Sequence, residues 1–259
     1  MRLSKILTLT EAAVGADLQY SPLSVEEVIN LLETHCSDAQ WMVDNNNPIW
    51  RGLKYLATDV PGYYIDPSKT VRKSQNTTNY YTIIWDHHPD WKGWPKRSRS
   101  LIATSNLDYA GWYGNAFAAI PYNGVQIGVV NVGDLHDVKV NLGPWTSTYP
   151  QINRELDRLD IPHTSYEALM RYTNSLDFYI GAGNSDDTRG IIVNLINGAP
   201  TPMEGLFDLF SMERMDPKPT LHTTKTLQSA PGWDETEVWI GGPCLLISHE
   251  MWTQLQGMK

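Results

Sequence analysis

The chain has 259 residues, 41% of them hydrophobic and 19% charged, enough apolar material to core one large domain or two small ones. Its net charge of −9 argues against broad affinity for nucleic acid, which needs clustered cations, although Lys92, Lys96, Arg97 and Arg99 form one local basic patch. Cys36 and Cys244 are too far apart in sequence for a metal or disulfide framework and read as buried thiols, and no apolar run approaches the ~20 residues of a membrane helix.

Arg2 and Lys5 followed by Ile6 to Thr10 superficially suggest a signal peptide, but the apolar part is short and broken by threonines and Glu11. A cytoplasmic location is therefore expected rather than secretion. Ser24 and Glu27 make a capping box, and Val25, Val28, Ile29 and Leu32 recur at helical spacing, predicting a helix from about Ser24 to Cys36. This N-terminal helical segment, 1–44, precedes a single compact unit, 45–259.

Asn45-Asn46-Asn47-Pro48 breaks the chain, and Ile49 to Leu56 reads as a strand. Residues 57–99 read mostly as loop. Ser100 to Thr104 is expected as a strand, Asn106 to Phe117 as a helix and Val125 to Val132 as a strand. Helical patterns follow at Tyr149 to Leu159, Ser165 to Phe178 and Thr201 to Arg214. Gly181 and Gly183 fall in a polar turn, and Arg189 to Leu195 starts a strand or helix. Strands are expected at Leu221 to Gln228, Glu237 to Ile240 and Pro243 to Ile247. Without a regular β-α-β alternation, α+β is the expected class rather than a doubly wound sheet.

Three segments carry the chemistry. Glu235 and Glu237 are two residues apart at the mouth of the apolar run Val238-Trp239-Ile240, so on a strand they share one side about 6 to 7 Å apart. Upstream lie Ile49-Trp50-Arg51-Gly52 and Ser100-Leu101-Ile102-Ala103-Thr104-Ser105. In order, these three segments resemble the Arg, Ser-Thr-Ser, Glu-x-Glu signature of the ADP-ribosyltransferases. Trp94 to Ser105, followed by Ala110 and Tyr113-Gly114, is similar to phage and bacterial members of that fold. The likeness spans about residues 45 to 240, with some two dozen specific positions.

The resemblance implies a core of two packed β-sheets with flanking helices, and NAD as substrate, with no metal. Cleaving the nicotinamide glycosidic bond passes through an oxocarbenium-like state that a nearby carboxylate stabilises, the role that falls to Glu237. A guanidinium pairs with phosphate through two parallel hydrogen bonds, which suits Arg51. With Arg51, Gly52 and Tyr113 are expected in the NAD cleft. Thr104 and Ser105 would orient Glu237 or the ribose, and Glu235 would position or deprotonate the acceptor. Trp233 would read the target, expected to be a protein (arginine-type) rather than a nucleic acid. This chain departs from the pattern at Ala103, where the triplet usually begins with Ser, so the scaffold hydroxyl falls to Thr104 or Ser100.

Two other patterns in the sequence point elsewhere. Asp86-His87-His88 after an apolar segment resembles a manganese motif of the DHH phosphoesterases, yet the chain has neither the upstream Asp-x-Asp nor the terminal Gly-Gly-Gly-His of that family. Ten tryptophans allow a non-enzymatic binding or phage structural module, with Trp85, Trp91, Trp94 and Trp112 grouped in sequence.

Overall fold

A computed structural model describes residues 19–70, 85–86, 89–130, 139–140, 143–144, 211–216, 218–230 and 236–258. The N-terminal stretch and the helices expected at Tyr149 to Leu159 and Ser165 to Phe178 lie outside the described residues, as does most of Thr201 to Arg214. In chain order the elements are β1 (Ser21–Leu23), α1 (Val25–His35), α2 (Gln40–Asp44), β2 (Ile49–Leu53), β3 (Gly62–Ile65) and β4 (Leu101–Thr104). They continue with α3 (Leu107–Trp112), β5 (Asn115–Pro121), β6 (Gln126–Val130), β7 (Lys139–Val140), β8 (Gly143–Pro144) and β9 (Met215–Asp216). The chain ends with β10 (Thr220–Thr223), β11 (Glu237–Ile240), β12 (Cys244–Ser248) and α4 (His249–Gly257). The class is α+β.

The described residues fall into two compact units, one drawn from 1–73, 94–135 and 219–259, the other from 74–93 and 136–218. The second contains the small antiparallel sheet β8-β7-β9. The first contains a nine-stranded antiparallel sheet in the order β1-β3-β12-β5-β2-β4-β11-β6-β10. The segment before residue 45 belongs to that unit, because Ser21 to Leu23 pairs with Gly62 to Tyr64. Most neighbouring strands share three to five register pairs, but β2 and β4 share only Trp50↔Thr104. A seam therefore runs through the sheet between a five-strand half and a four-strand half.

Local chemistry accounts for the elements beside that seam. Ser24 accepts from the Glu27 amide while the Glu27 carboxylate accepts from Ser24, closing the capping box that starts α1. Val28 and Leu32 then turn inward. At Gly62 a Cβ would lie 2.9 Å from the Val28 Cγ2, so α1 reaches β3 only where β3 has no side chain. Every residue of β12 is buried, and from the other end of the chain α4 sets Trp252 edge-on against Trp50 at 6.2 Å.

Four expectations need correction. Residues 57–99 contain β3, whose Tyr-Tyr-Ile fits a pleated, buried surface and is paired on both edges, by β1 and β12. The helix after Asn106 stops at Trp112: Gly114 takes φ +132°, and a Cβ there would sit 2.5 Å from the Lys54 amide, so the chain turns and 115–121 becomes β5. The strand at 221–228 ends at Thr223, where the Thr226 hydroxyl accepts from the Thr223 amide and closes a turn. The helices α2 and α4 were not anticipated, although Ser248 caps α4 by accepting from the Met251 amide. No helix among the described residues is long and apolar enough to cross a membrane.

Candidate functional site

The site is built on β11, whose four residues are all buried and which is paired on both edges, by β4 and β6. Ser105 donates its backbone N–H to the Thr236 carbonyl at 3.0 Å. Antiparallel bonding alternates, so that bond makes Glu237↔Thr104 a non-hydrogen-bonded pair, the kind with Cα atoms only about 4.5 Å apart and side chains closest. A hydroxyl thus stands directly across from the carboxylate. Ala103 falls in the next row opposite Val238, on the other face, so the missing serine lies at a position that does not look at Glu237. Ser100, the other candidate, donates to the Lys96 carbonyl at 2.7 Å and is spent on the turn before β4.

Glu237 is only 4% exposed, and two donors converge on its Oε1. Arg97 Nη2 donates at 3.0 Å as a buried ion pair, and the Trp239 indole Nε1 donates at 2.6 Å. Trp239 reaches back because it lies two residues along the same strand, on the same side. The Arg97 guanidinium lies 5.6 Å from the centre of the Trp239 ring, and Trp94 meets that ring edge-on at 6.2 Å. Room for Trp94 comes from Gly128, the register partner of Trp239, where a Cβ would be 2.9 Å from the Trp94 ring. Arg97 is therefore a buried ion partner, and Arg99 donates to the Ser68 carbonyl at 3.1 Å; neither belongs to an open basic patch.

Thr104 Oγ1 accepts from the Asn106 amide at 3.1 Å, and Ser105 Oγ accepts from the Thr236 amide at 2.9 Å. Each bond uses an oxygen lone pair, which leaves the hydroxyl proton available to a further acceptor. The same loop caps α3 through Asn106 Oδ1, which accepts from Asp108 and Tyr109.

Arg51 sits one residue out of the Glu237–Thr104–Trp50 row, so the pleat sends its side chain off the other face of β2. It returns to β4 at the seam. Alternation points the Ile102 carbonyl toward β2, where the ladder has ended, and Arg51 Nη1 donates to it at 2.9 Å. Arg51 Nε is buried and has no hydrogen-bond partner among the described residues. Its guanidinium lies 6.0 Å from the Tyr113 ring centre. Gly52 runs beneath α3, where a Cβ would be 1.8 Å from the Ala110 carbonyl oxygen, so no larger residue fits. The structure thus groups Thr104, Ser105 and Glu237 on one ladder and Arg51, Gly52 and Tyr113 at the adjoining seam. Glu235 and Trp233 lie outside the described residues.

Arg97 and Trp239 were not singled out as site residues from the sequence. The alternation Glu237-x-Trp239 was the available signal; nothing in Lys96-Arg97-Ser98-Arg99 distinguishes a buried arginine from solvated ones. His87 and His88 lie outside the described residues, while Asp90 accepts from the Ser211 hydroxyl at 2.6 Å and the Met212 amide at 3.2 Å. Among the described residues no group of three or more His, Cys, Asp or Glu is arranged to hold a metal. Trp85 and Trp91 are buried against each other, edge to face at 4.5 Å, whereas Trp112 is 74% exposed. Both cysteines are free and buried, and burial pushes the Cys36 thiol up to about 12 and the Cys244 thiol well above its ordinary value. No protein family, curated protein or solved structure matches this chain in comparison.

Proposed function

We propose that the protein is a mono-ADP-ribosyltransferase of α+β build, cleaving the nicotinamide glycosidic bond of NAD and passing ADP-ribose to a nucleophilic acceptor, in the first place a protein guanidine. The observation that supports this reading is the adjacency of β2, β4 and β11, which puts Thr104 across from Glu237 and Arg51 on the next strand, its side chain leaving from the opposite face and returning to β4 at the seam.

In this reading the bond between ribose C1 and the nicotinamide nitrogen breaks, and its electron pair neutralises the pyridinium. Positive charge builds on the ribose. The Glu237 carboxylate, in a site where water is largely excluded, stabilises that charge more strongly than it could in bulk solvent. The acceptor lone pair then forms the new bond to C1, and the acceptor loses a proton, the task expected of Glu235. Thr104 has a hydroxyl proton to donate to a ribose oxygen. Arg51 suits the diphosphate: among the described residues its guanidinium has one hydrogen-bond partner, the neutral Ile102 carbonyl, and no carboxylate.

The test is release of nicotinamide from NAD, with and without a guanidine-bearing protein. Glu237→Gln should lower the rate by about 100-fold or more with the fold intact by circular dichroism. Wild-type protein that never releases nicotinamide with any acceptor would overturn the reading.

A further inference from the structure

We infer that Arg97 and Trp239 are positioning residues for the acidic site, fixing the Glu237 carboxylate in one charged orientation; this rests on the ADP-ribosyl-transfer reading above. Three observations lead there. First, both donors bond the same oxygen, Oε1, from different side chains, at 3.0 and 2.6 Å. A carboxylate held by two donors at one oxygen has the direction of its other oxygen set as well, so its rotamer freedom is not lost at the moment of reaction.

Second, the donors brace each other. The guanidinium lies 5.6 Å from the Trp239 ring centre, and Trp94 meets that ring edge-on at 6.2 Å. The clamp is assembled from two segments, 94–97 and β11, and it is in register because Gly128 leaves space for Trp94.

Third, burial demands a cation. A carboxylate as enclosed as Glu237 would take up a proton if left unpaired, since the charged form loses its hydration. A protonated glutamic acid cannot stabilise an oxocarbenium-like ribose. Arg97 keeps the negative charge in place, and the indole N–H strengthens the arrangement with a bond that carries no charge of its own.

A purely structural ion pair would give the same contacts, so the test must separate the two roles. Trp239→Phe leaves an aromatic ring beside the guanidinium but removes the N–H together with part of the buried ring. The full-length variant should show kcat for NAD consumption, normalised to the folded fraction, lowered by about tenfold or more with KM for NAD within about twofold of wild type, while the smaller buried ring lowers the melting midpoint. Arg97→Lys, which keeps the charge but loses the planar fork, should retain more activity than Arg97→Met, the rescue expected of a positioning cation.

An independent readout is the Trp239 indole signal in proton–nitrogen spectra, assigned by its loss in Trp239→Phe. Bonded to a carboxylate it should lie downfield, and it should move upfield in Glu237→Gln. If wild-type protein turns over NAD and Trp239→Phe leaves kcat unchanged, or changes it only in step with the folded fraction, the inference is overturned while the functional reading stands. If wild-type protein shows the downfield indole but consumes no NAD, the functional reading falls and takes this role with it.

Discussion

Two arginines flank the same strand in opposite states. Arg97 is 7% exposed and committed to a carboxylate inside the β4–β11–β6 half of the sheet. Arg51 stands at the seam, bonded through Nη1 to a neutral carbonyl; its Nε, like that of Arg97, is buried without a hydrogen-bond partner among the described residues. The difference teaches that an arginine's part is set by the state of the ladder beside it. Where the strands pair continuously, the guanidinium is enclosed against a carboxylate; where pairing stops after one residue pair, it plugs the gap by bonding a bare backbone carbonyl.

The contrast can be broken by experiment. Arg97→Ala leaves Glu237 buried without its cation, and such removals cost about 3 to 5 kcal/mol, so urea denaturation should show a loss of that order or no folded protein. Arg51→Ala should cost stability only about 1 kcal/mol, yet raise KM for NAD about ten- to a hundredfold with kcat little changed. Equal stability losses in the two variants would erase the distinction. Thr104→Val, nearly isosteric, should lower kcat about tenfold and stability by about 1 kcal/mol, because it removes the hydroxyl opposite Glu237 while preserving the strand.

Away from both arginines, effects should be small. Cys36 and Cys244 should resist thiol reagents in native protein at pH 8 and react on unfolding, since burial holds both thiols protonated. For Asp66, burial raises the carboxyl, but hydrogen bonds from Ser68 and Lys69 and the Lys69 charge outweigh it and leave a depressed value. Its contribution is therefore complete above the unfolded carboxyl value of about 4 and fades as pH falls through the lower folded one. The melting difference between wild type and Asp66→Asn should be widest near neutrality and vanish in acid.

Much of this was legible in one dimension. The capping box at Ser24 and Glu27 gave the start of α1, and Glu237 to Ile240 is bounded as its apolar run suggests. What could not be read was anything decided across strands. β3 hides because Gly62-Tyr63-Tyr64-Ile65 becomes a strand only with β1 and β12 on either side. That Thr104, rather than residue 103, stands across from Glu237 follows from a register in which a slip of one residue reverses every side chain. Arg97 was hidden for the same reason: a basic run looks solvated until the fold lays it over an acidic strand.

Gly128 touches none of the reacting groups, yet it sets their tolerance. Its missing side chain is the floor on which Trp94 rests, and Trp94 in turn fixes the height of the segment that carries Arg97. A single added methyl at residue 128 would lift that segment like a shim under a hinge plate. Gly128→Ala should therefore act as a remote dial on the acidic centre, dimming the proposed NAD turnover without altering any of the groups proposed to act on NAD.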